Sequence, residues 1–415
     1  MSISSLEFRQ DPPVPAFLIH DVLAKLAYVD ERVQGAQISG SGDTIQLMLR
    51  AALGAGEIEA LKARVATLVT AMSDGAFEPE LRVLEAHEGQ IKTDIDPMAE
   101  LLARREVVQE GAGFFIIGPL LTHVVSYVED RLLEIAGELG ATPFRFPALI
   151  APGYLERVQY FKNFPHSLSF ATHLRENLPD IQRFSAEATT IGSRVEADPE
   201  LFARPAAMLA PTVCHHLYLA LSDTELDQDG IIATASGNCF RFESINMVSL
   251  ERVWNFTMRE IIFVGEDEQV RERLDNVRAA VRPLLEELGL AYKVMTANDP
   301  FFIGTFRDQA AYQAAFELKY EIRAELPYKK GTVAIGSYNR HGDFFGRSLN
   351  IRTPDGSPAC TGCIGIGFER LALAFVAQHG LDPDNWPKPI RDAVAKAKAR
   401  PFRFKPLASS HCPVC

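Results

Sequence analysis

Between residues 231 and 368 the strand-like runs of this chain follow one another without a helix between each pair, and that order limits the folds open to it. Ile231–Thr234, Cys239–Phe242, Ile261–Val264, Thr332–Ser337 and Ile364–Phe368 read as strands. One helical periodicity, Gln269–Leu288, falls among them, and a second, Arg370–Gln378, follows the last. A doubly wound parallel sheet needs regular alternation of strand and helix, so the pattern predicts an α+β domain on a mostly antiparallel sheet. With 415 residues, 47% of them hydrophobic, the chain can bury at least one large core and form two or three domains.

Upstream, Leu121, Val124, Val125, Val128, Leu132, Ile135 and Leu139 recur at helical spacing, which predicts one amphipathic helix over 119–139 with Gly140 as its stop. Phe144-Arg145-Phe146-Pro147 then reads as a strand ending at a proline. The first hundred residues differ in charge. They carry 8 Lys/Arg against 16 Asp/Glu, a net −8 out of −12 for the whole chain. Gly54–Met72 is helical in pattern and Thr44–Leu49 strand-like, so residues 1–105 are expected to be a small acidic α+β appendage and 106–415 the main domain.

Met1–Asp21 lacks a basic start followed by an apolar stretch, and Phe114–Val128 is broken by Gly118-Pro119 and His123. Neither a signal peptide nor a membrane span is expected. Six cysteines are few for this length, which suggests a cytoplasmic protein with thiols available for metal or catalysis. The acidic balance counts against a polyanion as substrate, because phosphate neutralisation supplies most of such affinity.

Neither GxxxxGK[ST] nor GxGxxG occurs, so a nucleotide would have to be held by something other than a glycine loop. Arg241-Phe242-Glu243 is the candidate. Within a strand, residues two apart share a face, so Arg241 and Glu243 would project together, one toward phosphate and one toward an adenine amino group. Taken alone, the tripeptide is more often a cross-strand ion pair. Its downstream context matters: Arg252, Phe256 and Glu260 recur every four residues, and Gly365-Ile366-Gly367-Phe368-Glu369-Arg370 runs from strand into helix.

This ordered set resembles the class II aminoacyl-tRNA synthetases over roughly residues 113–400. Gly118–Pro147 is similar to the family's first motif, which builds a dimer interface; Cys239–Phe256 is similar to the second, and Gly365–Arg370 to the third. Within the class the chain most resembles the seryl-tRNA synthetases, through Val264–Leu290 and Gly336-Ser337-Tyr338-Asn339 to Asn350. The resemblance implies a class II catalytic domain and a homodimer. It also implies that Arg241 holds the ATP α-phosphate, Glu243 the adenine, Phe256 stacks on the ring, Arg370 holds the γ-phosphate and Arg252 lies near the phosphates. Arg241 and Arg370 would then be catalytic. Arginine forks suit a bent triphosphate.

The sequence departs from ordinary seryl enzymes at the amino-acid site. Their Thr-x-Glu segment stands here as Thr212-Val213-Cys214, and a second cysteine, Cys363, precedes the third motif. Glu260 occupies the place of another amino-acid-binding carboxylate. Cys214, Glu260 and Cys363 thus resemble the three-ligand zinc site of methanogen seryl synthetases and of the amino acid:[carrier protein] ligases related to them. Zinc ligated this way keeps an open position for a substrate amine. Thr212, Cys214, Glu260 and Cys363 would contact the amino acid. Two alternatives stand beside this. A free cysteine is often a buried small hydrophobe, and Cys360-Thr-Gly-Cys363 with Cys412-Pro-Val-Cys415 form two CxxC pairs of the kind that make a structural zinc site.

Seryl-tRNA synthetases carry an N-terminal tRNA-binding arm, and an acidic compact unit is a poor one. The resemblance therefore favours a ligase that activates a small amino acid, glycine or alanine foremost, with ATP and Mg²⁺ and transfers it to the phosphopantetheine thiol of a carrier protein. A zinc-type seryl-tRNA synthetase is the alternative enzyme, and an inactive paralogue with a binding role is the alternative outside catalysis. Trp386–Lys405, with seven Lys/Arg and one acid, is a candidate surface for an acidic carrier, and Phe302–Phe316, around Ala310-Ala311-Tyr312-Gln313, a candidate carrier-binding helix.

Overall fold

The computed structural model describes residues 4–74, 76, 78, 82–192, 194–297 and 319–396. The expected carrier-binding helix at Phe302–Phe316, the basic residues Lys398, Arg400, Arg403 and Lys405, and the Cys412/Cys415 pair lie outside the described residues.

The N-terminal unit is a three-stranded antiparallel sheet, β1 (Ser4–Arg9), β2 (Val33–Ile38) and β3 (Thr44–Leu49), with β3 in the centre. Helices α1 (Ile19–Leu26) and α2 (Ala55–Ser73) cover it. Ile45, Leu47 and Leu49 alternate inward and meet Leu61, Val65, Leu68 and Met72 of α2, closing a separate core. Val83–His87 (β4) does not join this small sheet but forms the edge of the large one.

The large sheet has eight strands. Besides β4 they are β5 (Thr142–Pro143), β6 (Ile231–Phe240), β7 (Asn255–Gly265), β8 (Tyr292–Thr296), β9 (Lys319–Leu326), β10 (Gly331–Gly342) and β11 (Cys360–Gly367). They run in the order β4-β8-β9-β10-β11-β7-β6-β5, and every pair is antiparallel except β6 with β5. The expectation of an α+β domain on a mostly antiparallel sheet is met. Three helices pack on one face: α3 (Pro119–Glu138), α5 (Asp267–Glu287) and α6 (Phe368–His379). Helix α3 matches the predicted span. Gly118 and Pro119 start it, Leu121, Val124, Val128, Leu132 and Ile135 bury one stripe, and Gly140 follows with φ of +73°.

Strand β7 explains how the sheet presents a site. Residues 259–265 are all buried because both faces are covered. Ile261 and Phe263 enter the core under the helices, whereas Ile262 and Val264 enter a second core on the opposite face. Glu260 shares that opposite face. On the helix side Arg259 is buried, held by Glu129 of α3 (Nε–Oε2 2.8 Å) and by the Thr234 hydroxyl (2.9 Å), which ties α3 to the centre of the sheet.

Three strand boundaries differ from expectation. Ile231–Thr234 and Cys239–Phe242 belong to one run that ends at Phe240, so Arg241–Glu243 lie beyond the strand rather than in its middle. The Arg241 and Phe242 amides turn to the Trp254 and Ser167 carbonyls (2.9 and 3.1 Å), and Ser244 has φ of +54°, which closes the ladder. Phe144–Pro147 is not a strand either. Only Thr142–Pro143 pairs, the Phe144 amide makes one last bond to Thr234, and the prolines at 143 and 147 supply no donors to extend the edge. Phe368 opens α6 instead of closing the preceding strand.

Candidate active site

Two clusters share one face of β7. Alternation puts Phe256, Met258 and Glu260 on the same side, and four residues of strand separate Phe256 from Glu260 by roughly 13 Å. A nucleotide-sized interval thus lies between an aromatic ring and a buried carboxylate.

At the Phe256 end, three arginines surround one acid. Arg252 pairs with the Glu243 carboxylate through Oε2, and an Arg370 nitrogen lies 3.8 Å from Oε1. Arg241 sits 5.3 Å from the Phe256 ring centroid by its guanidinium carbon and donates from Nε to the Pro211 carbonyl at 3.0 Å. Burial pushes the Glu243 carboxyl up, but Arg252 and Arg370 outweigh it and hold the group below the usual carboxylate value. Three guanidinium groups against one carboxylate leave the cluster cationic, which suits a polyphosphate. All five residues expected here on the sequence (Arg241, Glu243, Arg252, Phe256 and Arg370) come together. They do so through a turn rather than through a shared strand face. Glu369, next to Arg370, accepts the Thr257 amide on both carboxylate oxygens (2.9 Å) and anchors the start of α6 on β7.

At the other end, Cys214, Glu260 and Cys363 are all buried, and their ligand atoms lie within 4.8 Å of one another. Register brings two of them together: Cys363 on β11 faces Ile262 on β7, and Glu260 is two residues from Ile262 on the same face. Helix α4 (Cys214–Ala220) delivers the third from its first residue. The Glu260 carboxylate holds that helix start, accepting from the Thr212 hydroxyl (2.7 Å), the Val213 amide (3.2 Å) and the Cys214 amide (3.0 Å). Burial, with Cys363 nearby, pushes its carboxyl up to about 7 despite those donors. Burial also raises the Cys214 thiol, whereas hydrogen bonding from Cys214, together with His341 and Asn339, lowers Cys363.

Two sulfurs and a carboxylate, all buried and within 4.8 Å of one another, form a donor set suited to tetrahedral zinc with one open position. The competing CxxC arrangement meets a geometric obstacle. Cys360 and Cys363 are three apart on strand β11 and so project to opposite faces, and Cys360 is turned toward Asp267.

Asn339 and His341 carried no assigned role in the sequence reading. Asn339 pairs with Cys363 in register and its amide nitrogen lies 3.7 Å from the sulfur; His341 bonds Thr361 through Nδ1 at 3.0 Å. Their spacing of two marks a shared strand face, but only the register of β10 against β11 reveals which residue they serve. Gly365, opposite Glu260, keeps the floor of the site open, because a Cβ there would lie 2.6 Å from the Met258 methyl and 3.4 Å from Glu260.

No protein-family model matches the chain. It is 31% identical over 260 residues to "Amino acid--[acyl-carrier-protein] ligase 1" of Bradyrhizobium diazoefficiens, covering 61% of this chain and 77% of that relative. Ligase 2 of the same organism is 32% identical over 259 residues, covering 61% and 75%. "Type-2 serine--tRNA ligase" of Methanopyrus kandleri is 28% identical over 334 residues, 76% of this chain but only 63% of the relative's length. Among solved structures, the M. kandleri SerRS in complex with A. aeolicus tRNASec superposes with a TM-score of 0.70 at 23% identity, covering 98% of this chain and 80% of that one. The Pyrococcus horikoshii seryl-tRNA synthetase complexed with ATP gives 0.51 at 16%, covering 82% and 78%. The fold is therefore that of the class II seryl-tRNA synthetases.

Proposed function

The chain belongs to the family of amino acid--[acyl-carrier-protein] ligases, and on that premise we propose that it adenylates a small amino acid with ATP and passes it to a carrier-protein thiol. The observation that carries the reading is the meeting of Cys214, Glu260 and Cys363 within 4.8 Å, along the same strand face as the cationic cluster.

In this reading Arg241, Arg252 and Arg370 grip the triphosphate of Mg²⁺-bound ATP, Phe256 stacks on the adenine, and Glu243 accepts from its amino group. Arg241 offsets the charge that builds on the α-phosphate as a carboxylate oxygen of the amino acid attacks phosphorus and pyrophosphate leaves. The phosphopantetheine sulfur then attacks the adenylate carbonyl, and AMP leaves. Cys214, Glu260 and Cys363 would hold zinc, which when bound takes the substrate α-amine in its open position and rejects acids lacking one. Thr212 fixes Glu260 for that role through its hydroxyl. Positioning and charge offset are what these residues contribute; none of them forms a covalent intermediate.

Glycine and alanine are the favoured substrates. A pocket that admits or rejects a single methyl group discriminates by only about 1–3 kcal/mol, so the preference is a matter of degree. The protein is expected to act as a homodimer, which the exposed apolar residues Phe144, Leu149, Phe170 and Leu178 beyond α3 support. Among the described residues no helix is long and apolar enough to cross a membrane.

One observation favours a second reading. The similarity to M. kandleri SerRS spans 98% of the chain, N-terminal unit included, and that protein was solved with a tRNA. A single experiment separates the two. Purified enzyme is given ATP, Mg²⁺ and labelled glycine, alanine or serine, with bulk tRNA in one tube and phosphopantetheinylated carrier protein in another. Label on the carrier alone is expected. Label on tRNA alone refutes the ligase reading, and absence of ATP–pyrophosphate exchange refutes both.

A further inference from the structure

The acidic N-terminal unit has no assigned role in the chemistry above, yet it touches the turn that carries Glu243. The Tyr28 hydroxyl, just past α1, donates to the Phe242 carbonyl at 3.3 Å. Asn246 donates from its side chain to the Ala24 carbonyl at 3.4 Å. Ile245 packs into the apolar core of the N-terminal unit, as does Phe164 from the main domain. The Tyr28 ring also meets His166 edge-on, with centroids 5.4 Å apart. Residues 242, 245 and 246 are thus all held from one side by the small unit.

The turn they hold is strained. Ser244 has φ of +54°, in the left-handed region, and the 243–246 segment is a short 3₁₀ turn with no strand partner. A non-glycine residue stays there only where its surroundings over-determine the backbone. At the far end of the same loop a second brace acts: the Tyr328 hydroxyl donates to Glu251 at 2.8 Å, and Lys329 pairs with the same carboxylate. Glu243 lies between these two braces, and its partner Arg252 directly follows the second. The side chains that meet the nucleotide therefore depend for their geometry on contacts from outside the large sheet.

We infer that the N-terminal unit is a brace built into the same chain for the nucleotide-binding turn, and that Tyr28 is a positioning residue for ATP. The inference rests on the reading that Arg241, Glu243, Arg252, Phe256 and Arg370 hold ATP. It explains why a compact acidic unit, ill-suited to a polyanion, is docked here: its job is met by shape and hydrogen bonding to one turn.

The test compares full-length wild type with Tyr28→Phe, Tyr28→Ala and, as a control on the outer face of α2, Glu59→Ala. ATP–pyrophosphate exchange is measured with ATP varied at saturating amino acid, and then the reverse, beside zinc content and thermal melting. Loss of one neutral hydrogen bond predicts a rise in the ATP KM of about 3–10-fold for Tyr28→Phe, larger for Tyr28→Ala. The amino-acid KM, zinc content and melting of Tyr28→Phe should stay at wild-type values, and Glu59→Ala should change nothing. An unchanged ATP KM in both Tyr28 variants, in a wild type that exchanges normally, overturns the brace alone. An equal rise in both substrates' KM also overturns it, since that marks general damage. A wild type that neither exchanges nor binds ATP removes the nucleotide reading and the brace with it.

Discussion

Replacing Glu260 by glutamine separates the metal role of this carboxylate from its structural one. The side chain is 1% exposed and accepts from three donors through two oxygens. Glutamine keeps one acceptor oxygen, which can serve Thr212 and Val213, but sets an amide nitrogen against the Cys214 amide. An unpaired buried N–H costs about 1–3 kcal/mol. The opposing effect is desolvation. Burial raises the carboxyl from 4.5 to about 7, so holding it ionised above that range costs roughly 3 kcal/mol at 1.36 kcal/mol per unit. The two effects offset, and above about pH 7 the metal-free variant should match the wild type within about 2 kcal/mol. The sign with pH follows from the raised value. The folded state takes up the proton more readily, so this group's contribution is fully present below 4.5 and is lost as pH rises through about 7. Chelator-stripped wild type should therefore lose its advantage over Glu260→Gln as pH climbs across that window. Zinc reverses the comparison: at a hundredfold excess over Kd a ligand bound only by the folded state adds about 2.7 kcal/mol, and the variant should gain almost none of it. Guanidinium denaturation with and without zinc, with metal content determined in parallel, measures both effects. Equal zinc stoichiometry and equal zinc stabilisation in the variant would show that Glu260 is not a ligand.

Further outcomes follow from the same geometry. Cys214→Ser should lose zinc and amino-acid activation together, so a variant retaining stoichiometric metal and full exchange would sink the three-ligand site. Arg370→Ala should raise the ATP KM at least tenfold, the scale of a lost charge-assisted contact of about 1.5–3 kcal/mol, while zinc content stays unchanged; metal loss there would instead indicate a disturbed sheet. Zinc affinity should rise with pH through about 7, because burial raises both the Glu260 carboxyl and the Cys214 thiol and their protons compete with the metal. A zinc titration at several pH values that shows no dependence contradicts this. Glu129→Gln removes the charge partner of buried Arg259 and should destabilise the fold by about 3 kcal/mol, read as a lower denaturation midpoint with substrate KM values unaffected.

Much of the site was legible in the residues themselves. Arg241, Glu243, Arg252, Phe256 and Arg370 were singled out through the resemblance to the class II motifs, and the fold brings them together. The helix over 119–138 and the central strand around Ile261–Val264 were legible because burial imposes periods of 3.6 and 2 on a sequence. Local periodicity says nothing, however, about where a strand stops when its last amides bond to non-strand carbonyls. That is why Arg241–Glu243 were expected on a strand and are found on a turn. Nor does it say what is near in space. Cys214 and Cys363 meet only because antiparallel register sets β11 beside β7 and Glu260 pins the start of α4 from the side. Alternation along β11 puts Cys360 on the opposite face from Cys363. The docking of Tyr28 onto Phe242 joins residues 214 positions apart through a side-chain hydroxyl and a backbone carbonyl, a contact with no sequence pattern at all. The sequence by itself determined which chemical groups are present and which elements carry them. Tertiary packing alone decided which of those groups meet, because distance between segments is set by sheet register and core closure rather than by spacing along the chain.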